Sequence, residues 1–311
     1  MAKHLTERPV LKLDARHGAS AAGRLEHTLR MKTVSNLFAL LLFASIPSVA
    51  QTPAAPKSVT AAQGTLVRWS GNCKRCAFEA RSWEPVNGSC YYPIDMEKKP
   101  GTYTISRRTT GGKLESARLT VTEKPCRPDA ITGFKKKEFI NVSAANLARH
   151  KKEMAEVNPL LDYKKEERPA VFDLPVGKPA QPLPAGSSNF GTCRSFNGQP
   201  ADRHTGMDYP VATGKQALSA GNGRVVLAAN HFFSGNSVYI DHGNGLLTEY
   251  FHLKSIAVKP NQTVTKGQTI GTVGETGRTT GPHLHFGVRW HGERINPGYL
   301  LMDPSDIPAV Q

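Results

Sequence analysis

The segment Gly281-Pro282-His283-Leu284-His285-Phe286-Gly287-Val288 decides how the C-terminal part of the chain folds. His283 and His285 are two residues apart, so in an extended strand both imidazoles project from the same face. Leu284, Phe286 and Val288 alternate with them and face the other way. The alternation predicts a strand that buries its apolar face in a core and presents two histidines to a cleft.

Two other clusters supply matching polar groups. His204-Thr205-Gly206-Met207-Asp208 offers an imidazole and a carboxylate four residues apart, and Glu249-Tyr250-Phe251-His252-Leu253 offers a further imidazole. A catalytic zinc site uses three protein ligands of these types and keeps one position open for water. His204, Asp208 and either His283 or His285 could fill the three positions. The remaining histidine of that pair and His252 would then lie beside the metal as bases.

The wider sequence context resembles one family, the LytM/lysostaphin-type zinc endopeptidases that cut peptidoglycan cross-links. The resemblance covers about residues 188–300 and rests on a series of motifs in the order and spacing of the family. These motifs are Phe190-Gly191, Phe196-Asn197-Gly198-Gln199-Pro200, His204-x-x-x-Asp208, Gly235 to Gly243, Tyr250-x-His252-Leu253, Lys266-Gly267-Gln268-x-Ile270-Gly271, Gly274-x-Thr276-Gly277 and Gly281-Pro282-His283-Leu284-His285.

The resemblance assigns a role to each of the five polar residues. It implies that His204, Asp208 and His285 bind one Zn²⁺ and that His252 and His283 form the catalytic pair. The chain has no His-Glu-x-x-His motif, whose glutamate would take a proton from water, so histidines must act as the acid and base. The implied substrates are the peptide stems and cross-links of peptidoglycan. A D-alanyl to diaminopimelate bond fits the resemblance better than the glycine bridges that lysostaphin cuts.

The pattern beyond residue 188 predicts a mainly β fold. Tight-turn signals at Gly221-Asn222-Gly223 and Gly243-Asn244-Gly245 separate candidate strands. We expect a peptidase domain over residues 188–301, built as an antiparallel barrel-like sheet of the barrel-sandwich hybrid type, followed by a tail over 302–311. The candidate strands are Arg224–Ala229, Ser237–Asp241, Leu246–Leu253, Gln268–Val273 and Leu284–Trp290.

The region before the peptidase domain divides into two parts. Short alternating segments with turns between them predict a small antiparallel β-domain over residues 58–130. Residues 131–187 combine a helix over Asn141–Val157, with Ser143 as its N-cap, and an extended Pro-rich linker. A short spacer over residues 51–57 precedes both parts.

The N-terminal fifty residues contain a secretion pattern. Met31-Lys32 precedes the apolar run Leu37–Ala44, and small residues follow up to Ala50. These features predict a signal peptide over 31–50, preceded by an uncertain extension over 1–30, and export to the periplasm or the exterior. The run is shorter than the ~20 apolar residues that a membrane helix needs, so we expect no integral membrane protein.

The overall charge narrows the choice of partner. The formal net charge is +15 and the isoelectric point is about 9.7. A basic surface suits nucleic acid, a membrane surface or an anionic polymer. Because the chain has no zinc-finger, RNP1-like or arginine-rich motif, nucleic acid is not expected. An anionic envelope polymer fits an exported chain better.

The chain has five cysteines, and disulfides are expected in preference to a metal site, since an exported chain meets an oxidising environment. Cys73, Cys76, Cys90 and Cys126 fall in or next to the β-domain and allow three pairings. Cys193 is then left over, and we expect it to be a buried free thiol. Two other hypotheses are a disulfide across the domains and a thiolate that occupies the open zinc position.

A non-enzymatic role is the alternative. Some LytM-type domains have lost zinc ligands and activate cell-wall amidases by binding them. All five positions are filled here, and the helix over Asn141–Val157 is too short for the coiled coil of such activators. The sequence therefore favours the endopeptidase over the regulator.

Overall fold

The computed structural model describes residues 56–161, 168–187 and 189–311. The predicted extension (1–30), the predicted signal peptide (31–50) and most of the spacer lie outside these residues. Within the described residues, no helix is long and apolar enough to cross a membrane.

A nine-stranded sheet forms the C-terminal part of the chain, and all of its pairings are antiparallel. Its longest path runs β11-β18-β15-β14-β13-β16, and β12, β17 and β19 pair off this path. The strands are β11 (Gly206–Tyr209), β12 (Gln216–Leu218), β13 (Gly223–His231), β14 (Gly235–Asp241), β15 (Leu246–Ile256), β16 (Thr263–Val264), β17 (Thr269–Val273), β18 (Leu284–Trp290) and β19 (Glu293–Arg294). The expected mainly β fold with a C-terminal antiparallel sheet is confirmed.

The strand β15 is the branch point of this sheet. Its first half pairs with β18 as far as Phe251 opposite His285, and its second half pairs with β17 from Leu253 opposite Val273. His252 is the residue between the two partners. The alternating side chains Leu284, Phe286 and Val288 of β18 are buried in the core, as the sequence pattern predicted.

A three-stranded sheet lies next to the site region. It consists of β8 (Pro128–Ile131), β9 (Cys193–Phe196) and β10 (Gln199–Arg203), in the order β10-β9-β8. β8 and β9 are parallel, and a disulfide joins Cys126, just before β8, to Cys193 at the start of β9. The chain before the peptidase domain therefore contributes a strand to its edge.

The disulfide pattern corrects the expectation for Cys193. Cys193 is not a free thiol, because it pairs with Cys126, and Cys76 pairs with Cys90. The remaining thiol is Cys73, which is buried against the Trp69 carbonyl and Arg107. The prediction that Cys73, Cys76, Cys90 and Cys126 pair among themselves was wrong. Cys126 lies beyond the N-terminal sheet, where the pairing of β8 with β9 brings it to Cys193. A Cys193 thiolate at the metal is excluded by the same bond.

The N-terminal part forms a five-stranded sheet in the order β1-β7-β6-β3-β4 and a separate pair, β2-β5. Its strands are β1 (Ser58–Ala62), β2 (Leu66–Trp69), β3 (Cys73–Phe78), β4 (Arg81–Trp83), β5 (Cys90–Pro93), β6 (Gly101–Thr109) and β7 (Leu114–Thr122). β1 and β7 are parallel, so this part is not wholly antiparallel as expected. Tyr91 stacks on Trp290 with ring centroids 5.4 Å apart, and Arg294 pairs with Asp95 at 2.7 Å. These contacts dock the N-terminal part onto β18 and β19.

The helix α1 (Ala144–Leu161) begins and ends a few residues later than predicted. The Ser143 hydroxyl accepts the Asn146 amide at 3.2 Å, as expected of an N-cap. Val157 packs on Tyr239 and Leu247, so α1 covers part of the outer face of β14 and β15. The 3₁₀ turns Lys137–Phe139 and Pro304–Asp306 and the short α2 (Gly298–Leu301) complete the described helices.

The Pro-rich segment after α1 is packed against the sheet where it is described. Phe172, Val176 and Ala180 are buried in the C-terminal core, and Val176 donates to the Leu300 carbonyl at 2.8 Å. The segment predicted to be a linker therefore also contributes side chains to the C-terminal core. The predicted domain boundaries remain predictions.

Candidate metal centre

Strand pairing and one loop bring together His204, Asp208 and His285. Asp208 on β11 lies directly opposite His285 on β18, so their side chains share one face of the sheet. His204 follows β10 and precedes β11. Its amide donates to the Thr192 carbonyl at 3.0 Å, which fixes the loop. The three residues therefore converge from three different strands or strand ends.

The ligand atoms of this group are close enough to share one small cation. His285 Nδ1 lies 2.9 Å from Asp208 Oδ1 and 2.9 Å from His204 Nε2, and His204 Nε2 lies 3.1 Å from Asp208 Oδ1. The other nitrogen of His204, Nδ1, faces the Asn189 carbonyl at 3.0 Å. An Nδ1–H donated to that carbonyl leaves the Nε2 lone pair for a ligand. Two imidazoles and a carboxylate suit Zn²⁺, so the residues present fit a zinc ion.

Asp208 is held by groups on its far side. Its Oδ2 accepts hydrogen bonds from Arg194 Nη2 at 2.6 Å and from Asn189 Nδ2 at 3.0 Å. Arg194 Nε also donates to Asp129 on β8 at 3.2 Å. These bonds leave Oδ1 directed to the histidines. Asn189 therefore orients two of the three ligands, one through its carbonyl and one through its amide.

Sequence reasoning missed Asn189, Arg194 and Asp129. Asn189 directly precedes the Phe190-Gly191 motif and Arg194 lies two residues before Phe196, so both adjoin recognised motifs. Asp129 carries no such signal, because it is 65 residues from Arg194 in the chain. Its place depends on the pairing of β8 with β9.

The backbone of His252 departs from regular strand geometry. Its φ is +62°, in the left-handed region that residues other than glycine rarely adopt. The amide of His252 donates to the Ser234 carbonyl at 2.9 Å, and its Nδ1 donates to the Thr276 carbonyl at 2.8 Å. This second bond leaves the Nε2 lone pair free for proton transfer.

This distortion changes which side chains face the cleft. Regular alternation places Tyr250 on the same face as His252 and Glu249 on the other, but Glu249 lines the cavity together with Phe251 and His252. Tyr250 is fully buried, and its hydroxyl accepts the Ala220 amide at 2.8 Å. Glu249 is paired with Arg289 at 2.9 Å. Regular alternation therefore does not hold at His252, where the strand changes partner and the His252 side chain lies on the cavity side with Glu249.

His283 lies at the edge of the same group. Its Nδ1 donates to the Gly281 carbonyl at 2.9 Å and lies 3.1 Å from the Thr279 hydroxyl. Its Nε2 lies 3.5 Å from Asp208 Oδ1 and has no hydrogen-bond partner among the described residues. The ring centroids of His283 and His252 are 4.9 Å apart. All five predicted residues therefore lie together, with three converging on one point and two beside it.

The ring of His285 is tightly enclosed. It stacks on Phe251 with centroids 4.9 Å apart and an interplanar angle of 2°. On the β11 side lies Gly206, where an added Cβ would be 2.6 Å from His285 Nε2 and 2.6 Å from the Phe286 carbonyl oxygen. A glycine is needed at this position because the imidazole and the neighbouring strand occupy the space of a side chain.

Burial and mutual charge shift the pKa values of this group. Burial lowers the pKa of His204 to about 4, although its hydrogen bond with Asp208 acts in the opposite direction. Burial tends to raise the pKa of Asp208, but the hydrogen bonds and charges of His204 and His285 outweigh it, so this pKa lies well below its usual value. Burial also lowers the pKa values of His252 and His283. The protein therefore favours the neutral forms of His204, His252 and His283 beside a carboxylate anion, protonation states that suit a metal site.

A cavity of ≈ 270 Å³ opens beside the group. Its lining combines the metal-site face, the loops around Phe233 and Arg278, and the inner side of α1. Glu153 of α1 is buried and accepts the Phe232 amide at 2.9 Å, which fixes the helix against the cavity wall. His231 also lines this cavity, whereas His242 is buried between the Asn222 carbonyl and the Thr248 hydroxyl and has a structural role.

Several known proteins are similar to this chain. The model of Peptidase family M23 matches residues 202–297. The peptidoglycan DD-endopeptidase ShyA of Vibrio cholerae is 45% identical over 93 residues, which are 30% of this chain and 22% of ShyA. ShyC of the same organism, also named a peptidoglycan DD-endopeptidase, is 44% identical over 113 residues, 36% of this chain and 26% of ShyC. The matches thus span about a quarter of these relatives.

A solved structure extends the similarity beyond the matched segment. The crystal structure of a Pseudomonas aeruginosa protein assigned to peptidase M23 has a TM-score of 0.58 and 25% sequence identity. The superposition covers 77% of this chain and 94% of that protein. The metal-site residues His204, Asp208 and His285 and both neighbouring histidines lie within the matched residues 202–297. The chain therefore contains, at residues 202–297, a segment that matches the model of Peptidase family M23.

Proposed function

We propose that this protein is an exported, zinc-dependent endopeptidase that hydrolyses the peptide cross-links of bacterial peptidoglycan. The observation that carries the proposal is the convergence of His204, Asp208 and His285, with ligand atoms 2.9–3.1 Å apart, beside His252 and His283. The similarity to proteins named peptidoglycan DD-endopeptidases supports the substrate class. The net charge of +15 suits an anionic envelope polymer as the surroundings of that substrate.

In this proposal His204 Nε2, His285 Nδ1 and Asp208 Oδ1 hold the metal. When bound, zinc acidifies a water molecule and polarises the carbonyl that is attacked. Asn189 and Arg194 keep the ligands in place, since they bind the ligand atoms that face away from the metal. The sheet thus supplies a preorganised ligand set, with the cavity beside it for the peptide.

His252 and His283 move the protons. Each donates its Nδ1–H to a backbone carbonyl, Thr276 for His252 and Gly281 for His283, so each presents Nε2 as the basic atom. One Nε2 accepts a proton from the attacking water. The resulting imidazolium then donates this proton to the leaving amine. The partner histidine, when it is protonated at Nε2, stabilises the oxyanion by a hydrogen bond. No carboxylate base is required, and Glu249 is already paired with Arg289.

The test is digestion of purified sacculi by the zinc-loaded protein, with mass spectrometry of the released muropeptides. We expect cross-linked dimers to become monomers, and we expect His283→Ala to remove this activity. The identity of the new termini gives the bond that is cut. Intact dimers after incubation with folded, zinc-loaded protein would contradict the proposal. Binding to an amidase without zinc uptake would instead support the regulator.

A further inference from the structure

The loop between β17 and β18 carries an arginine, Arg278, in addition to the carbonyls that accept hydrogen bonds from His252 and His283. Thr276 supplies the carbonyl that binds His252, and Gly281 supplies the carbonyl that binds His283. Arg278 lies between them on this loop, and its side chain lines the cavity. Its amide donates to the Phe233 carbonyl at 2.8 Å, which fixes the backbone at this point. Arg278 thus lies on the same loop as the carbonyls that bind both proposed catalytic histidines.

Two aromatic rings hold the guanidinium of Arg278. Its Cζ lies 4.9 Å from the ring centroid of Phe196 and 4.5 Å from that of Phe233. Contacts of this kind engage the face of a guanidinium and leave the N–H donors in its plane available. The rings therefore position Arg278 without satisfying its hydrogen-bonding groups.

The other arginines that line the cavity already have acceptors. Arg194 is bound to Asp129 and Asp208, Arg203 to the Gly191 and Met96 carbonyls, and Arg289 to Glu249. Within the described part of the chain, the Arg278 guanidinium has no hydrogen-bond or ion-pair acceptor. The Arg278 residue is nevertheless partly buried. Such a group gains substantially from a bound anion, because a charge-assisted hydrogen bond in a partly desolvated site is strong.

The charges around Arg278 favour an anion from outside. Burial lowers the pKa of Arg278, Asp202 opposes this shift, and the charge of Arg194 adds to it. Asp202 is exposed and does not reach ion-pair distance of Arg278. Glu153 is another carboxylate on the cavity wall, but it already accepts hydrogen bonds from Arg149 and the Phe232 amide. Among the described residues, Arg278 is therefore the arginine of the cavity wall that lacks a hydrogen-bonded or ion-paired acceptor, and it lies next to the proposed metal site.

We propose that Arg278 binds a carboxylate of the peptide substrate, close to the bond that is cut, and thereby selects anionic peptides. The planar guanidinium matches a carboxylate through two parallel N–H···O bonds. The carboxylate belongs either to the C-terminus of the stem or to an amino-diacid side chain. This inference rests on the proposed function for the peptide class, and on the environment of Arg278 for the subsite itself. Arg278 acts as a specificity-determining residue.

The first experiment measures binding without turnover. A synthetic, uncross-linked stem peptide with free carboxylates is titrated calorimetrically into the zinc-loaded full chain. The same peptide is then used with its C-terminus amidated and, separately, with its side-chain carboxylate amidated. We expect Arg278→Gln to weaken binding of the free peptide about tenfold or more. One of the two amidations should weaken binding to the unmodified protein about as much as Arg278→Gln weakens binding of the free peptide. With that amidated peptide, Arg278→Gln should have no further effect. This amidation identifies the carboxylate that Arg278 binds.

Two variants control for charge and folding. Arg224→Gln removes one exposed positive charge from β13, outside the cavity, and is expected to bind like the unmodified protein. Arg278→Lys keeps the charge but loses the two parallel donors, so its affinity for the free peptide should lie between those of the unmodified protein and Arg278→Gln. Thermal unfolding shows whether each variant is folded. If Arg278→Gln does not fold, Arg278→Lys alone must weaken binding of the free peptide and not of the matching amide.

The outcomes separate this inference from the proposed function. The subsite is overturned if the unmodified protein binds free and amidated peptides with equal affinity. It is also overturned if replacing Arg278 lowers the affinity for free and amidated peptides by the same factor. Sacculus digestion is scored independently. If sacculi stay intact while Arg278 discriminates between free and amidated peptides, the endopeptidase proposal fails and the subsite stands. If sacculi are digested but Arg278→Gln leaves KM for anionic substrate unchanged, only the subsite fails.

Discussion

Arg194 Nη2 lies 2.6 Å from Asp208 Oδ2, on the side of the carboxylate away from the two histidines. Asp208 Oδ1 meanwhile lies 2.9 Å from His285 Nδ1. The two oxygens of one carboxylate thus have separate partners. Because Arg194 is itself held by Asp129 at 3.2 Å, a strand from the N-terminal half of the chain helps to fix a proposed metal ligand.

Replacing Arg194 by Met should weaken zinc binding, since Asp208 loses the bond that orients it. Outer partners of metal ligands are commonly worth 10- to 100-fold in affinity, and we expect a loss in that range. Competition with a chelator of known affinity measures it. Asp129→Asn, which acts one contact further out, should have a smaller effect. An unchanged zinc affinity in Arg194→Met would show that Asn189 alone is sufficient to hold Asp208.

The two histidines of the β18 motif should respond differently to removal. We expect His283→Ala to lose cleavage of sacculi while zinc remains bound, because its Nε2 is 3.5 Å from Asp208 Oδ1 and outside the group of three. His285→Ala should lose zinc as well. Metal analysis of both purified variants, alongside the digestion assay, checks this. Loss of zinc in His283→Ala with retention in His285→Ala would exchange the two roles.

Gly206→Ala should disturb the proposed metal site without replacing any of its residues. The new Cβ would lie 2.6 Å from His285 Nε2 and from a backbone oxygen, so the ring or the strand must move. Overpacking of this kind commonly costs about 1–3 kcal/mol. We expect reduced zinc affinity and a lower melting temperature. Gly281→Ala is the matched control, because nothing lies within 4 Å of a Cβ there. Equal behaviour of the two variants would contradict the packing argument.

The buried His242 should make stability depend on pH. Burial lowers its pKa in the folded protein to about 4, whereas an unfolded histidine titrates near ~6.5. Between these values the unfolded chain binds more protons, so stability must fall as the pH falls through this window. The contribution of His242 to the free energy of unfolding that is lost across this whole window is on the order of 3 kcal/mol.

Chemical denaturation of the protein and of His242→Gln at pH 8, 7, 6 and 5 tests this prediction. The free energy of unfolding should decline less steeply for the variant below pH 7, and the two slopes should agree between pH 7 and 8. Parallel curves over the whole range would mean that His242 does not carry the effect.

The two disulfides should contribute unequally. Cys126 and Cys193 are separated by 67 residues, and Cys76 and Cys90 by 14. Constraint of the unfolded chain predicts stabilisation of about 4 kcal/mol for the first and about 3 kcal/mol for the second. Paired Cys→Ser variants, compared by denaturation, measure the difference.

Thiol counting tests the pairing itself. With two disulfides, one thiol per chain should react, and only after unfolding, because Cys73 is buried. Peptide mapping should recover the Cys126–Cys193 bond. Three reactive thiols, or a modified Cys193, would contradict this connectivity.

The sequence by itself determined the local features of this protein. Alternation in the Leu284–Val288 segment specified a strand with one buried face, turn signals specified the edges of neighbouring strands, and Ser143 specified the start of α1. The five polar residues were recognised from motif spacing. These features depend on residues within one strand or turn, where side-chain direction follows from backbone geometry.

Only the tertiary structure decided the rest. The partner of Cys193 depends on β8 lying beside β9, and the bond between Asp129 and Arg194 depends on the same pairing. The face of Glu249 depends on the left-handed His252, at the point where β15 changes partner. The environment of Arg278 depends on rings from two separate strands or loops. Such contacts join residues far apart in the chain, so no local pattern encodes them. They form only when burial of the sheet core fixes which strands meet.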